Sequence, residues 1–315
     1  MPRRFFGFPI FLIVAIACSH DETASAHSRN VARTPEEGVA PRASVIASSS
    51  QPYRVTTVSA GGAITGTVDF DGTAPVAAVI RPTSDQNVCG SSIVQQNLAL
   101  SGTRVGGAVV WLTDIRSGKG FPLERRLELT NNGCTLDPYV QVMSTNSTLN
   151  VVNDDRTLHT NRFINVGTGL ITGIAPFNDD GEVVPVDKFR EPAEIEVVCE
   201  QHPWTHAWIA VLDHPYFAQT AAAGTFTIDG IPAGKYRVRA WHPTLGFADD
   251  SVTVTAGQQA NVAFRIRANA ANGPAIPTQL PAESAASSTP AVPILPTASS
   301  TPTSSSTPSG PPPPR

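Results

Sequence analysis

Short runs in which apolar and polar positions alternate follow one another along most of the chain, and this period of two is the signature of strands with one face buried. Residues 62–70 read Gly-Ala-Ile-Thr-Gly-Thr-Val-Asp-Phe and end on the turn Asp71-Gly72. Further strands are expected near 77–81, over 97–100 and over 106–114, with a charged, glycine-punctuated turn at 116–120. The runs 127–130, 139–143 and 149–152 are separated by Asn-Asn-Gly and Asn-Ser turns. Asn153-Asp154-Asp155 then opens a polar loop that carries His159. Residues 165–192 read as irregular apart from a candidate strand at 183–186, and strands resume at 195–199 and 208–212. Residues 224–241 form a hairpin around Pro232-Ala233-Gly234, and 251–255 and 261–266 form a closing pair around Ala256-Gly257. No stretch sustains the i, i+3, i+4 apolar period of a helix, so the fold class is all-β.

The two ends of the chain follow different rules. Arg3 and Arg4 precede an apolar run over residues 5–17, too short to span a bilayer comfortably, which leads into Ala15-Ile16-Ala17-Cys18. Small residues before a cysteine resemble the bacterial lipobox, which implies export, a lipid on Cys18 and a membrane attachment through that lipid alone. Signal cleavage after Ala24-Ser25-Ala26 is the alternative, and it also exports the protein. Residues 19–59, rich in Ser, Ala, Thr and Arg, read as a disordered tether. Residues 268–315 hold 12 of the 28 prolines and only two charged side chains, Glu283 and Arg315, and read as a disordered spacer. Charged residues make up 15% of the 315 and the net charge is −4, with no basic patch of the kind that binds nucleic acid.

The chemistry lies in three separated residues. Cys199 ends one apolar run, His202 follows inside a tight loop containing Pro203, and a second apolar run leaves that loop. His159 is the third. A soft sulfur and two imidazoles suit copper or zinc. Of the four cysteines, Cys18 belongs to the leader, and Cys89, Cys134 and Cys199 are left to an oxidising compartment. Cys89-Gly90 and Gly133-Cys134 both read as turns, so a Cys89–Cys134 disulfide with Cys199 as a thiolate is expected. A bridge from either to Cys199 stays open, because sequence does not fix connectivity.

Around these residues the chain resembles the cupredoxins. Its Cys-x-x-His-x-x loop is similar to the short ligand loop of amicyanin-type proteins, which implies copper held by His159, Cys199 and His202. The position that carries the axial methionine in that family is Thr205 here, and neither Met1 nor Met143 lies in the loop. Thr205 itself and His206, next to it, are possible additional ligands. Flanking segments resemble the carboxypeptidase regulatory-like domain, a small transthyretin-like sandwich. The matching words are Gly-Thr-Phe-Thr-Ile, Ile-Pro-Ala-Gly-Lys-Tyr and Val-Thr-Val-Thr-Ala-Gly, with an opening Gly-x-Ile-x-Gly-x-Val at 62–68 and Ala-x-Val-x-Leu at 108–112. Together with His-Pro-Trp and Trp-His-Pro motifs, this pattern is similar to exported bacterial proteins of a methylamine-utilisation-like kind. The implied architecture is a cupredoxin-like Greek-key sandwich over 121–217. It is inserted between a first half (60–120) and a second half (218–267) of the transthyretin-like sandwich.

Other candidates weigh less. His214 and His242 each precede proline and read as structural caps at the junction between the units. Trp204, Trp208 and Tyr216 read as packing residues. The pairs Asp154-Asp155 and Asp179-Asp180 read as solvated acidic turns without calcium-loop spacing. No nucleophile elbow, zinc-protease helix or phosphate loop is present, so no catalysis is expected. Two functions compete: an exported copper protein with a redox partner, or a non-catalytic envelope module that binds polysaccharide or a protein and has lost the metal site.

Overall fold

The computed structural model describes residues 43–46, 51–95, 97–122, 127–187 and 189–267. The leader with Cys18, most of the tether and the proline-rich tail lie outside the described residues. In chain order the first part carries β1 (Arg54–Val55), β2 (Gly62–Phe70), β3 (Val79–Ile80), the single-turn helix α1 (Gln86–Cys89), β4 (Ile93–Val94), β5 (Ala99–Ser101), β6 (Arg104–Gly106), β7 (Val109–Leu112) and β8 (Ser117–Gly118). The middle carries β9 (Leu127–Asn132), β10 (Thr135–Asp137), β11 (Val140–Ser144), β12 (Leu149–Asn153), β13 (His159–Asn165), β14 (Ile171–Phe177), β15 (Val183–Val186), β16 (Ala193–Cys199) and β17 (His206–Leu212). The last part carries β18 (Phe217–Gln219), β19 (Thr225–Ile231), β20 (Gly234–His242), β21 (Gly246–Val254) and β22 (Gln259–Ile266).

Strands from the two ends of the chain pair with each other. β2 lies between β19, antiparallel, and β22, parallel, and β7 lies between β18 and β20. The sheets β19-β2-β6-β5 (with β22 on β2) and β18-β7-β20-β21 thus close one sandwich. The middle part closes a second one from β10-β9-β12-β15 and β11-β17-β16-β13-β14. Two of its pairings are parallel, β9 with β12 and β11 with β17, so neither sheet is a simple meander. This is the unit expected over 121–217.

Alternation explains how the four sheets stack. β2 buries every second residue, Ile64, Val68 and Phe70 among them, in the core of the first sandwich. Gly66 shares that face because nothing larger fits: a Cβ there would stand 1.8 Å from the Val262 carbonyl oxygen. β17 is buried on both faces. Ala207, Ile209 and Val211 enter the core of the second sandwich, while Trp208, Ala210 and Leu212 face the first. β7 answers in kind, with Val110 and Leu112 in its own core and Val109 and Trp111 in the shared seam. Trp241 meets Trp208 there edge-on at 6.5 Å between ring centroids. A side-chain hydrogen bond completes the join: Gln219 Nε2 donates to the Val140 carbonyl at 2.8 Å.

Three expectations need correction. Residues 165–192 are not irregular: β14 runs through them. Gly173 and Pro176 break its apolar pattern, and as an edge strand it leaves Ile171 and Ile174 exposed. His159 does not sit in a loop after a strand; it is the first residue of β13. Finally, the segment with β3, α1 and β4 does not stay with the first sandwich. It reaches across to the end of the second, where Cys89, Ile93 and Cys134 form a small core against Ile80, Val88 and Trp204.

Candidate metal centre

β13 and β16 are antiparallel neighbours, with Asn161 opposite Cys199. Along β16 the period of two places Cys199 on the same face as Val197 and Ile195, which point into the core. The chain then turns tightly. The Thr205 amide donates to the His202 carbonyl at 2.8 Å, and the Cys199 amide donates to the Thr205 carbonyl at 3.3 Å. This turn brings His202 back over Cys199. His159 arrives from β13, on the same core-facing side as Phe163.

The three side chains converge. His159 Nδ1 is 3.4 Å from Cys199 Sγ, His202 Nδ1 is 3.6 Å from it, and the two Nδ1 atoms are 3.2 Å apart. His159 and His202 are fully buried and Cys199 is 1% exposed. Donors that share an ion at 2.0–2.3 Å in a trigonal set stand about 3.5–3.8 Å apart, so the spacing fits a small metal ion after a shift of a few tenths of an ångström. The chemistry fits too, since one sulfur and two imidazoles form the equatorial set that copper accepts.

Each ring is oriented from behind. His159 Nε2 bonds Asp155 Oδ2 at 3.0 Å, and His202 Nε2 lies 3.3 Å from Asp85 Oδ2. An ionised carboxylate only accepts, so each Nε2 carries a proton and each Nδ1 is turned to the sulfur. Asp155 is itself held by the amides of Gly133, at 2.7 Å, and Cys134, at 2.9 Å. The buried Asn153 pins the loop below, donating to the carbonyls of Asp155 at 3.0 Å and Asp179 at 2.8 Å.

Electrostatics follow from these contacts. Burial pushes the Cys199 thiol up, but the bonds to His159 and His202 outweigh it and bring its pKa down to about 6. Burial also opposes charge on His159, yet Asp155 and Cys199 raise its pKa to about 9. Burial acts likewise on Asp155, and the His159 ring with the Cys134 and Gly133 amides still holds it below the usual carboxylate range. For Asp85, burial is outweighed by bonds to Thr157, His202 and Ser84. The site therefore favours a thiolate.

The neighbouring candidates fall out of the set. Thr205 is buried, but its hydroxyl donates to the Cys134 carbonyl at 2.5 Å. His206 is turned away. On β17 it shares the face of Trp208 and not that of Ala207, and its Nε2 donates to the Pro203 carbonyl at 3.0 Å. Cys89 and Cys134 are bonded to each other, and Cys199 is the free cysteine among the described residues. Asp155 is not a solvated turn residue, and Asp85 carried no signal at all in the sequence. The spacing Asp155 to His159 was the one local cue to a carboxylate behind a ligand. His214 and His242 cap local turns, accepting the amides of Tyr216 and Thr244 at 3.2 Å each.

Comparison with known proteins adds the following. The family described as polysaccharide lyase family 4, domain II, matches residues 194–262. That segment holds β16 and β17 of the second sandwich and β18 to the start of β22, the C-terminal strands of the first. No curated protein matches the chain in sequence. Among solved structures, a purple cupredoxin from Nitrosopumilus maritimus is 18% identical, with 27% of this chain and 98% of that one covered at a TM-score of 0.23. A reduced Cu(I) form of an amicyanin mutant is 13% identical, with 29% and 85% covered and a TM-score of 0.24. A copper-containing nitrite reductase from Thermus scotoductus is 22% identical, with 32% of this chain and 25% of that one covered and a TM-score of 0.23.

Proposed function

We propose that this chain is a non-catalytic copper protein of the cell envelope that holds one copper ion for electron transfer or copper handling. The observation that carries the reading is the convergence of Cys199 Sγ with the Nδ1 atoms of His159 and His202, all within 3.6 Å of one another in a buried pocket. When bound there, copper supplies one-electron redox chemistry. The protein supplies the rest. Strands β13 and β16 fix two of the donors on rigid backbone, Asp155 and Asp85 fix the ring orientations, and the apolar surroundings exclude water. The proton that His159 Nδ1 directs at the thiolate must leave when an ion binds. Export, with a lipid on Cys18 as the membrane attachment and a redox protein as the partner, belongs to the same proposal and rests on the leader pattern.

The test is a titration of the purified protein with Cu(II). One equivalent should bind and give an intense thiolate charge-transfer band that Cys199→Ala abolishes. Failure to take up stoichiometric copper at neutral pH would reject the reading.

A second reading is a polysaccharide-binding envelope module, favoured by the matched lyase-domain family and by a groove of about 750 Å³ beside the site, lined by Gln95, Asn97, Asn132, Tyr139, Asp154 and Trp204 among others. Glycan binding that persists in Cys199→Ala would support it.

A further inference from the structure

The cover of the donor set comes from outside the sandwich that supplies the donors. It is the segment with β3, α1 and β4, and Asp85 stands at the start of its helix. The backbone of Asp85 is left-handed (φ 51°, ψ 33°), and its carboxylate makes no capping bond to the helix it begins. An aspartate at that position ordinarily bonds the amides of the first turn. Here the carboxylate is turned to His202 Nε2 instead. The segment is tied down on both sides of that contact. Gln95 Nε2 donates to the Trp204 carbonyl at 2.8 Å, in the same loop as His202. The Cys89 amide donates to the Asp85 carbonyl at 2.8 Å, and Cys89 is bonded to Cys134. The Cys134 amide in turn holds Asp155. One covalent link therefore joins the supports of both rings.

We propose that Asp85 is a positioning residue of the metal centre, and that the Cys89–Cys134 disulfide holds it there, so that the centre is closed and slow to exchange its ion only while that link is intact. The inference rests on reading His159, Cys199 and His202 as a metal set. Asp85 acts through His202: it fixes the Nε2–H tautomer, keeps Nδ1 facing Cys199, and covers the ring edge. Without it the ring is free to turn and water reaches the set.

Two measurements test this. In the metal-free protein, nitrogen-15 NMR should show His202 as the Nε2–H tautomer, and Asp85→Ala should lose that preference while thiol counting still finds the disulfide. In the copper-loaded protein, Asp85→Ala should release its ion to an excess chelator about 10–100-fold faster, the usual scale for losing such a support, with a shifted charge-transfer band. Asp85→Asn, whose amide oxygen still accepts from Nε2–H, should stay within about threefold of the parent. The double variant Cys89→Ala/Cys134→Ala, if it folds, should follow Asp85→Ala in both measurements. Unchanged His202 signals in Asp85→Ala overturn the proposal, as does a release rate equal to the parent's. A parent that binds no copper but shows the Asp85-dependent tautomer sinks the metal reading and leaves the positioning role standing.

Discussion

At the scale of single residues the donor set behaves as a pair of opposite charges before any ion arrives. Cys199 titrates at about 6 instead of 9.0, and His159 at about 9 instead of 6.5. The depressed thiol contributes stability above its unfolded value and loses it as pH falls through about 6; the raised imidazole contributes below its unfolded value and loses it as pH rises through about 9. Both charges coexist between those limits, and the two apparent values belong to the pair. Ultraviolet thiolate absorbance of the metal-free protein should therefore rise with a midpoint near 6, and His159→Gln should move that midpoint upward toward 9.0, the ordinary thiol value. A midpoint unmoved by the substitution would show that His159 is not the thiolate's partner. That Cys199, His202 and His159 would come together was legible in the sequence, because the first two share one local loop and His159 stands where a polar loop meets a strand. Asp155 was visible but misread, since its burial depends on Gly133 and Cys134, 21 or more positions away. Asp85 was not legible: it is 117 positions from His202, and nothing in its own neighbourhood marks the contact.

At the scale of elements, β2 and β17 are the strands on which the two sandwiches depend, and each predicts its own failure. Gly66→Ala would drive a Cβ into the Val262 carbonyl oxygen, backbone that cannot step aside without breaking the β2–β22 pairing. Overpacking of this kind costs about 3 kcal/mol. It should appear as a lower urea midpoint at unchanged slope. On β17, Ile209→Ala empties part of the second core and should cost about 2–5 kcal/mol, while Trp208→Ala opens the seam and should cost about 3–5 kcal/mol. If Trp208→Ala were neutral, the seam would not be a packed interface. Alternation made strands such as β2, β16 and β22 readable, because one face is buried and the other is not. It concealed β14, where glycine, proline and an exposed edge blur the period, and it said nothing of α1, a single turn shaped by the residues it covers.

At the scale of the whole molecule, the four stacked sheets share three apolar layers, and the middle one belongs to both sandwiches. Unfolding should accordingly be one transition by far-ultraviolet dichroism and by tryptophan fluorescence; two separated transitions would mean that the seam contributes little. Acid should act on that seam. Burial lowers His214 to about 4 and His242 to about 3, and His242 lies against Tyr139 of the other sandwich. A histidine kept neutral in the native state makes the unfolded state bind more protons below pH 6.5, so stability falls as pH drops from there toward 4, by up to about 1.4 kcal/mol per pH unit for each group. Replacing His214 with Gln should flatten the urea midpoint against pH in that range. The split sandwich was legible because its two halves carry recognisable strand words; the crossing of residues 79–94 was not, because it is a matter of tertiary path. That path sets an order of events during synthesis. β2 has only its short pairing with β6 until β19 and β22 exist, whereas β9 to β17 are complete once residue 212 has emerged. A growing chain thus passes through an interval in which the second sandwich and the segment that covers its end, already made and held by Cys134 and Trp204, can close while β2 still waits for both of its long partners.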